Sequence, residues 1–180
     1  PGADIQFRNA DSAYAFRQDS SFYYFSGFCE PFSLIAIVKN KDDICSIAFV
    51  QPKDKLKEIW DGHRAGPIGA VDEYLFDKAY DNTQIDKIMP DILNGSSQVL
   101  YSIGKKVGFD QKVIDWTTDA SSKDRHSKSI NIIDASSLIG NARLIKDEHE
   151  INLIRKACDI SAEAHIEAMK SVKSISSEQE

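Results

Sequence analysis

Cysteine is scarce in this 180-residue chain, and Cys29, Cys45 and Cys158 lie far apart with no CxxC pair among them. A sparse, odd set excludes a disulfide framework and suits a reducing compartment. Long apolar runs are missing too. The longest aliphatic run, Leu34 to Val38, falls far short of the roughly 20 residues a spanning helix needs. Positive charge is in deficit, with 22 Lys and Arg against 28 Asp and Glu and a formal net charge of -6. Nucleic-acid affinity rests on clustered Lys and Arg, so the charge argues against a phosphate-binding surface, and both a nucleic-acid binder and a membrane span are demoted. No internal repeat or low-complexity tract is present. No secretory leader is visible, but residue 1 is Pro rather than Met, so that absence excludes nothing. A cytoplasmic location is expected.

Common catalytic signatures are also absent. His63, His126, His149 and His165 form no HExxH, Cys2His2 or His-x-His spacing. His165 shares a helix face with Cys158 and Ser161, but a base must approach a nucleophile from another element, so a histidine packed at a domain junction is expected. Asp159, Glu163 and Glu167 recur every four residues and read as a solvated acidic face. Gly104 and Gly108 surround lysines without matching a phosphate-loop spacing.

With 42% hydrophobic and 28% charged residues, the chain can bury a true core. Asp19 to Phe28 reads as a short helical turn stopped by Gly27. Leu34–Val38 and Ile44–Val50 are β-branched runs around the turn-like Lys39–Asp43, a hairpin. Asp54 to Trp60 reads as a short helix ended by Gly62, Pro67 to Leu75 as another, and Phe76 to Tyr80 as a strand. After Asn82, a helix cap, Ile85, Ile88, Met89, Ile92 and Leu93 form one apolar stripe, with Pro90 expected to kink it. A strand (Val99–Ile103), a helix (about Asp110–Ser122) and a strand (Ile130–Ile133) follow. Strands alternating with amphipathic helices predict an α/β layered fold with a mixed sheet.

Asp147 and Glu150 make a capping-box-like start to a helix running to about Val172. Its about 26 residues span roughly 39 Å, against roughly 32 Å for twice the radius of gyration of a compact chain this long. The helix is therefore expected to open a second domain that the chain does not complete. Residues 1–142 form the expected first domain, and 143–180 the linker and opening helix.

Two patches point to function. The first, "DSAYAFRQDSSFYYFSGFCEP" (Asp11 to Pro31), is rich in aromatics, most of them expected in a core under the sheet. The second, "EIWDGHRAGP" (Glu58 to Pro67), places Trp60 and Arg64 four apart between glycines, on what reads as a surface loop. Trp60 is open to two readings. It either packs in the core, or stands with Arg64 where a proline ring and a peptide carboxylate would be held.

Three segments, "FRQDSSFYYFSGFCEP", "EIWDGHRAGP" and "RLIKDEHEINLIRKACDISAEAHIEAM", resemble in this order the amino-terminal half of Xaa-Pro aminopeptidase (aminopeptidase P), of the creatinase/prolidase group. The resemblance runs from Arg8 to Met169. It implies a three-layer α/β, mixed-sheet, ribonuclease-H-like domain. It also implies a "pita-bread" catalytic domain elsewhere in the parent, holding two Mn(II) ions through two Asp, one His and two Glu, none of them in this chain. A metal-bridging hydroxide there would cleave the bond before a penultimate proline. Peptides with a penultimate proline are the implied partners, and a homodimer or homotetramer the implied assembly. The chain itself would bind no metal and be inactive alone, shaping the active-site entrance and the oligomer. The resemblance makes Trp60 the tryptophan that caps the substrate region of a neighbouring subunit, Asp11 an acidic residue reaching across that interface, and Arg64 a partner within the same motif. His63 stands where the family usually has Arg. A further family arginine falls at Arg125 or, with a gap placed differently, at Lys123. A non-catalytic creatinase-fold module that binds a peptide or protein partner is the alternative from another class.

Overall fold

The computed structural model describes residues 1–41, 43–123 and 129–172. They form two compact units, one from Pro1 to Ala135 and one beginning at Ser136. The helix Ser136–Ala142 thus falls in the later unit, where the sequence reading placed the boundary after residue 142.

In the first unit, β1 (Leu34–Asn40) pairs antiparallel with β2 (Asp43–Val50), and β2 pairs parallel with β3 (Lys78–Asp81). The hairpin is tighter than the sequence suggested. Asn40 faces Asp43 directly, so the strands consume most of the expected five-residue turn, and Lys41 takes a positive φ of 53° to close it. A separate parallel pair joins β4 (Gln98–Tyr101) to β5 (Asn131–Asp134). β4 stops at Tyr101 rather than Ile103 because the Ile103 N–H donates to the Asp134 carboxylate, 3.2 Å away.

Side chains alternate across β1, β2 and β3, and each face has its own core. Ala48 and Val50 pack with Phe22, Phe28, Ala65, Ala70 and Phe76, among which lie α1 (Ser20–Ser26) and α3 (Gly66–Asp72). Ile47 and Phe49 pack on the other face with Leu34 of β1, Met89 of α4 (Ile85–Leu93), and Val113 and Trp116 of α5 (Val107–Ser122). Val99, Tyr101 and Ile132 join this second core, which draws the β4–β5 pair in beside the hairpin. The apolar stripe read after Asn82 accordingly faces inward. α4 and α5 are also pinned at the rim, where Trp116 Nε1 donates to Asp86 at 3.0 Å and Lys112 pairs with the same carboxylate at 2.9 Å.

Several local expectations need correction. Asp81, not Asn82, caps the start of the α4 region, its carboxylate accepting from Thr83 N at 2.8 Å over a 3₁₀ turn (Asn82–Gln84). Asn82 instead donates to the Phe32 carbonyl. α4 runs past Pro90 to Leu93. Only Phe22 and Phe28 of the aromatic patch are core residues; Tyr14 is exposed ahead of α1, and Tyr23, Tyr24 and Phe25 are exposed because the seven-residue α1 buries a single face. Lys123, just after α5, ion-pairs with Asp91, and Arg125 lies outside the described residues.

The second unit holds a helix the sequence reading did not anticipate, α6 (Ser136–Ala142), and the expected long one, α7 (Glu148–Ser171). The capping box is realised in full: Glu150 N donates to Asp147 at 2.8 Å, and Asp147 N donates back to Glu150 at 2.8 Å. No residue of α7 is buried. His165, expected to be packed, is exposed, with Nδ1 2.7 Å from the Ser161 carbonyl. No helix among the described residues is long and apolar enough to cross a membrane.

Asp19 caps α1, its carboxylate accepting from Ser21 N and Phe22 N at 3.0 and 2.9 Å. Partial burial pushes its pKa up, but the Phe22 N–H, Lys105 and the Ser21 N–H outweigh that and hold it below the ordinary 3.8. A carboxyl depressed in the folded state stabilises above its unfolded pKa, and loses that contribution as pH falls through the folded value. Asp19→Ala should therefore cost about 1 kcal/mol in urea unfolding near neutrality. Repeating the titration in acid, the gap to wild type should narrow once pH drops below 3.8. An undiminished gap there contradicts a charge-assisted cap.

Candidate functional site

The second sequence patch folds as an elbow between two short helices. α2 (Lys55–Asp61) starts at Asp54, whose carboxylate accepts from Leu56 N and Lys57 N at 3.0 and 3.3 Å. It ends at Gly62, whose φ of 88° lies in the region that favours glycine. α3 begins four residues later at Gly66, with φ 65°. A Cβ on Gly66 would stand 3.2 Å from Lys53 Cβ and 3.3 Å from Lys53 N, so this turn needs both the positive φ and the missing side chain.

Leu56, Ile59 and Trp60 fall at i, i+3 and i+4, the spacing of one helix face. That face points outward: Leu56 is 76% exposed, Ile59 73% and Trp60 88%, and α2 buries no residue. Trp60 thus sits on the last turn of a helix rather than on a glycine-rich loop, and the core reading of its ring is set aside.

Arg64 differs most from the expectation of an exposed partner to Trp60. It is only 8% exposed, and its Nη2 donates to Asp61 Oδ2 at 2.9 Å. Its backbone N–H donates to Glu58 Oε1 at 2.9 Å, reaching back past the end of α2. The next amide, Ala65 N, donates to Glu30 Oε1 at 2.7 Å, from 35 residues away in the chain. Three carboxylates and one guanidinium therefore hold the elbow. Glu30 Oε2 and Arg64 Nε are both buried there without a hydrogen-bond partner among the described residues. Arg64 is thus buried within the elbow while Trp60 is exposed.

Asp11 lies on another element, at the tip of a reversal closed by Arg8 N to Ser12 O and Tyr14 N to Gln6 O. It is exposed, and no hydrogen bond or ion pair joins its carboxylate to the α2–α3 elbow among the described residues. His63 is exposed on the elbow. Among the described residues, no three His, Cys, Asp or Glu side chains stand together as a metal site.

The sequence reading missed Glu30 and Glu58. Glu58 opens the quoted motif, and its six-residue reach to the Arg64 amide is signalled only by the break at Gly62. Glu30 sits in the other quoted segment, and no spacing rule links it to residue 65. Chemically, the elbow offers an indole face and one N–H donor on a fixed platform, suited to stacking on a compact apolar ring. It presents no nucleophile with a base beside it.

A sequence profile of the aminopeptidase P N-terminal domain matches residues 1–101. The chain belongs to the aminopeptidase P family. It is 32% identical over 166 residues to the Xaa-Pro aminopeptidase of Haemophilus influenzae, covering 92% of this chain and 36% of that one. With the Xaa-Pro aminopeptidase of Escherichia coli it shares 33% identity over 170 residues, covering 91% and 38%. The structure of Pseudomonas aeruginosa aminopeptidase PepP superposes with a TM-score of 0.88 at 34% identity, covering 94% of this chain and 39% of that one. Zinc-substituted E. coli aminopeptidase P in complex with product superposes at 0.85 and 30% identity, covering 91% and 38%. The chain thus spans little more than a third of the length of the relatives it matches, and its mixed α/β fold is that of the aminopeptidase P structures.

Two glycine substitutions separate the elbow's two demands. Gly62→Ala meets no atom within 4 Å and carries only the backbone cost of φ 88° with ψ 178°, about 1–3 kcal/mol. Gly66→Ala adds the close approach to Lys53 and should lose more in urea unfolding. Equal losses would mean that Lys53 gives way freely.

Proposed function

We propose that this chain is the amino-terminal domain of a metal-dependent Xaa-Pro aminopeptidase, which releases the residue before a penultimate proline. In that protein the domain shapes the active-site entrance and the homo-oligomer, a dimer or tetramer, and Trp60 caps the peptide region of a neighbouring subunit. The observation that carries the proposal is the 88% exposure of Trp60 on a capped helix whose far end is clamped to the core. Together with Leu56 and Ile59, Trp60 makes an exposed apolar face, which suits a contact made elsewhere. Asp11, exposed on its own reversal, supplies a second polar contact across the same interface. Arg64, whose guanidinium is committed to Asp61, serves by holding the platform.

The finer fold assignment belongs to the same proposal: a ribonuclease-H-like first unit, with α7 as the opening helix of a pita-bread domain. The exposed Ile151, Ile154 and Met169 of α7 support it, being apolar side chains suited to cover from further chain. The cofactor would be two Mn(II) ions. On this proposal the metal ligands lie elsewhere in the parent protein; among the described residues no three His, Cys, Asp or Glu side chains stand together. A zinc-substituted relative solved with product supports metal dependence. A cytoplasmic location completes the proposal.

The test is Trp60→Ala in the full-length protein. Removing a buried tryptophan costs roughly 3–5 kcal/mol in stability, whereas an exposed one leaves no cavity. The melting temperature should move by only a few degrees, while kcat/KM on Xaa-Pro peptides falls about tenfold or more, equivalent to roughly 1.4 kcal/mol. A variant that unfolds, or one that keeps both stability and activity, overturns the assignment. The isolated chain with Mn(II) should show no turnover of an X-Pro-X tripeptide above background.

A further inference from the structure

Trp60 makes an unusual demand on its surroundings. Its ring has almost no packing of its own, so its position in space is set by the end of α2 alone. That end is fixed by unequal means. Inside the helix, Gly62 N donates to the Glu58 carbonyl at 3.2 Å, a long closing bond. Beyond the helix, two side chains take over. Glu58 projects past the C-terminus to accept from Arg64 N at 2.9 Å, and Glu30 crosses from the α1–β1 connection to accept from Ala65 N at 2.7 Å. Bonds from backbone N–H to a carboxylate are about twice as strong as neutral ones. They act on two successive amides, which fixes the direction of the chain as well as its location. Both anchor to rigid material: Ala65 is a core residue, and Phe28, two residues before Glu30, is fully buried in the same core.

We propose that Glu58 and Glu30 are positioning residues for Trp60, acting through the amides of Arg64 and Ala65 to hold the end of α2 at the angle from which the indole meets its peptide. The inference rests on the peptide contact proposed above for Trp60. Arg64 completes the device. Its guanidinium pairs with Asp61, which ties the last residue of α2 to the same turn. Glu58 is the better residue to test because it is half-buried and its loss should leave the core intact.

The decisive experiment is a double-mutant cycle in the full-length protein, using Glu58→Ala, Glu58→Gln, Trp60→Ala and the Glu58→Ala/Trp60→Ala double variant. Glutamine keeps an oxygen that accepts from Arg64 N, whereas alanine has none. Glu58→Ala should lower kcat/KM on an Xaa-Pro tripeptide about three- to tenfold, and Glu58→Gln should stay within about twofold of wild type. In the Trp60→Ala background the Glu58→Ala change should cost nothing further, because the ring it positions is gone. Equal loss with and without Trp60, or equal loss in Gln and Ala, overturns the inference. If Trp60→Ala itself keeps full activity, the functional reading falls, and amide exchange across residues 59–64 of the same full-length proteins decides the positioning. Faster exchange in Glu58→Ala that Glu58→Gln restores supports it, and unchanged exchange in Glu58→Ala rejects it.

Discussion

Strand β2 is the constraint on which the rest of the first unit depends. It pairs on both edges, antiparallel to β1 and parallel to β3, and its last four residues are buried. Ile47 and Phe49 serve one core while Ala48 and Val50 serve the other, so a one-residue slip of register would exchange the two cores. The register is pinned at the edge as well. Asp77, just before β3, accepts from the backbone and hydroxyl of Ser46, both at 2.7 Å. Helices on either side then have fixed floors to pack on, and the elbow inherits its position from them.

That inheritance connects core to function. Ala65 and Ala70 belong to the core on the Val50 face, with Phe22 and Phe28. The connection carrying Phe28 also carries Glu30, whose carboxylate reaches the elbow. An unpacked Trp60 would otherwise be carried on a helix of only seven residues, too short to hold itself in water.

What the sequence made legible follows from how local the signal was. The capping box at Asp147, the Asp19 and Asp54 starts and the Gly27 and Gly62 stops are contacts within a few residues, and they appear where the pattern placed them. The stripe from Ile85 to Leu93 was legible for the same reason. The exposure of Trp60 was legible only as one of two alternatives, because "EIWDGHRAGP" fits a helix end or a loop equally well. Arg64 misled because its burial depends on Asp61, Glu58 and the distant Glu30 together. The exposed rings of α1 misled similarly, since composition cannot say how much of a short helix the sheet covers. α6 escaped because its seven residues carry too few apolar positions to show a period.

In the proposed assembly a core-anchored elbow presents Trp60 to a peptide held by a neighbouring subunit. The most direct measurement is a crystal structure of the full-length protein with a bound Xaa-Pro product. The Trp60 ring should lie in van der Waals contact with the peptide in the adjoining subunit, with the Glu58 to Arg64 and Glu30 to Ala65 bonds intact. A ring left in solvent, or packed on protein away from the peptide, would contradict it.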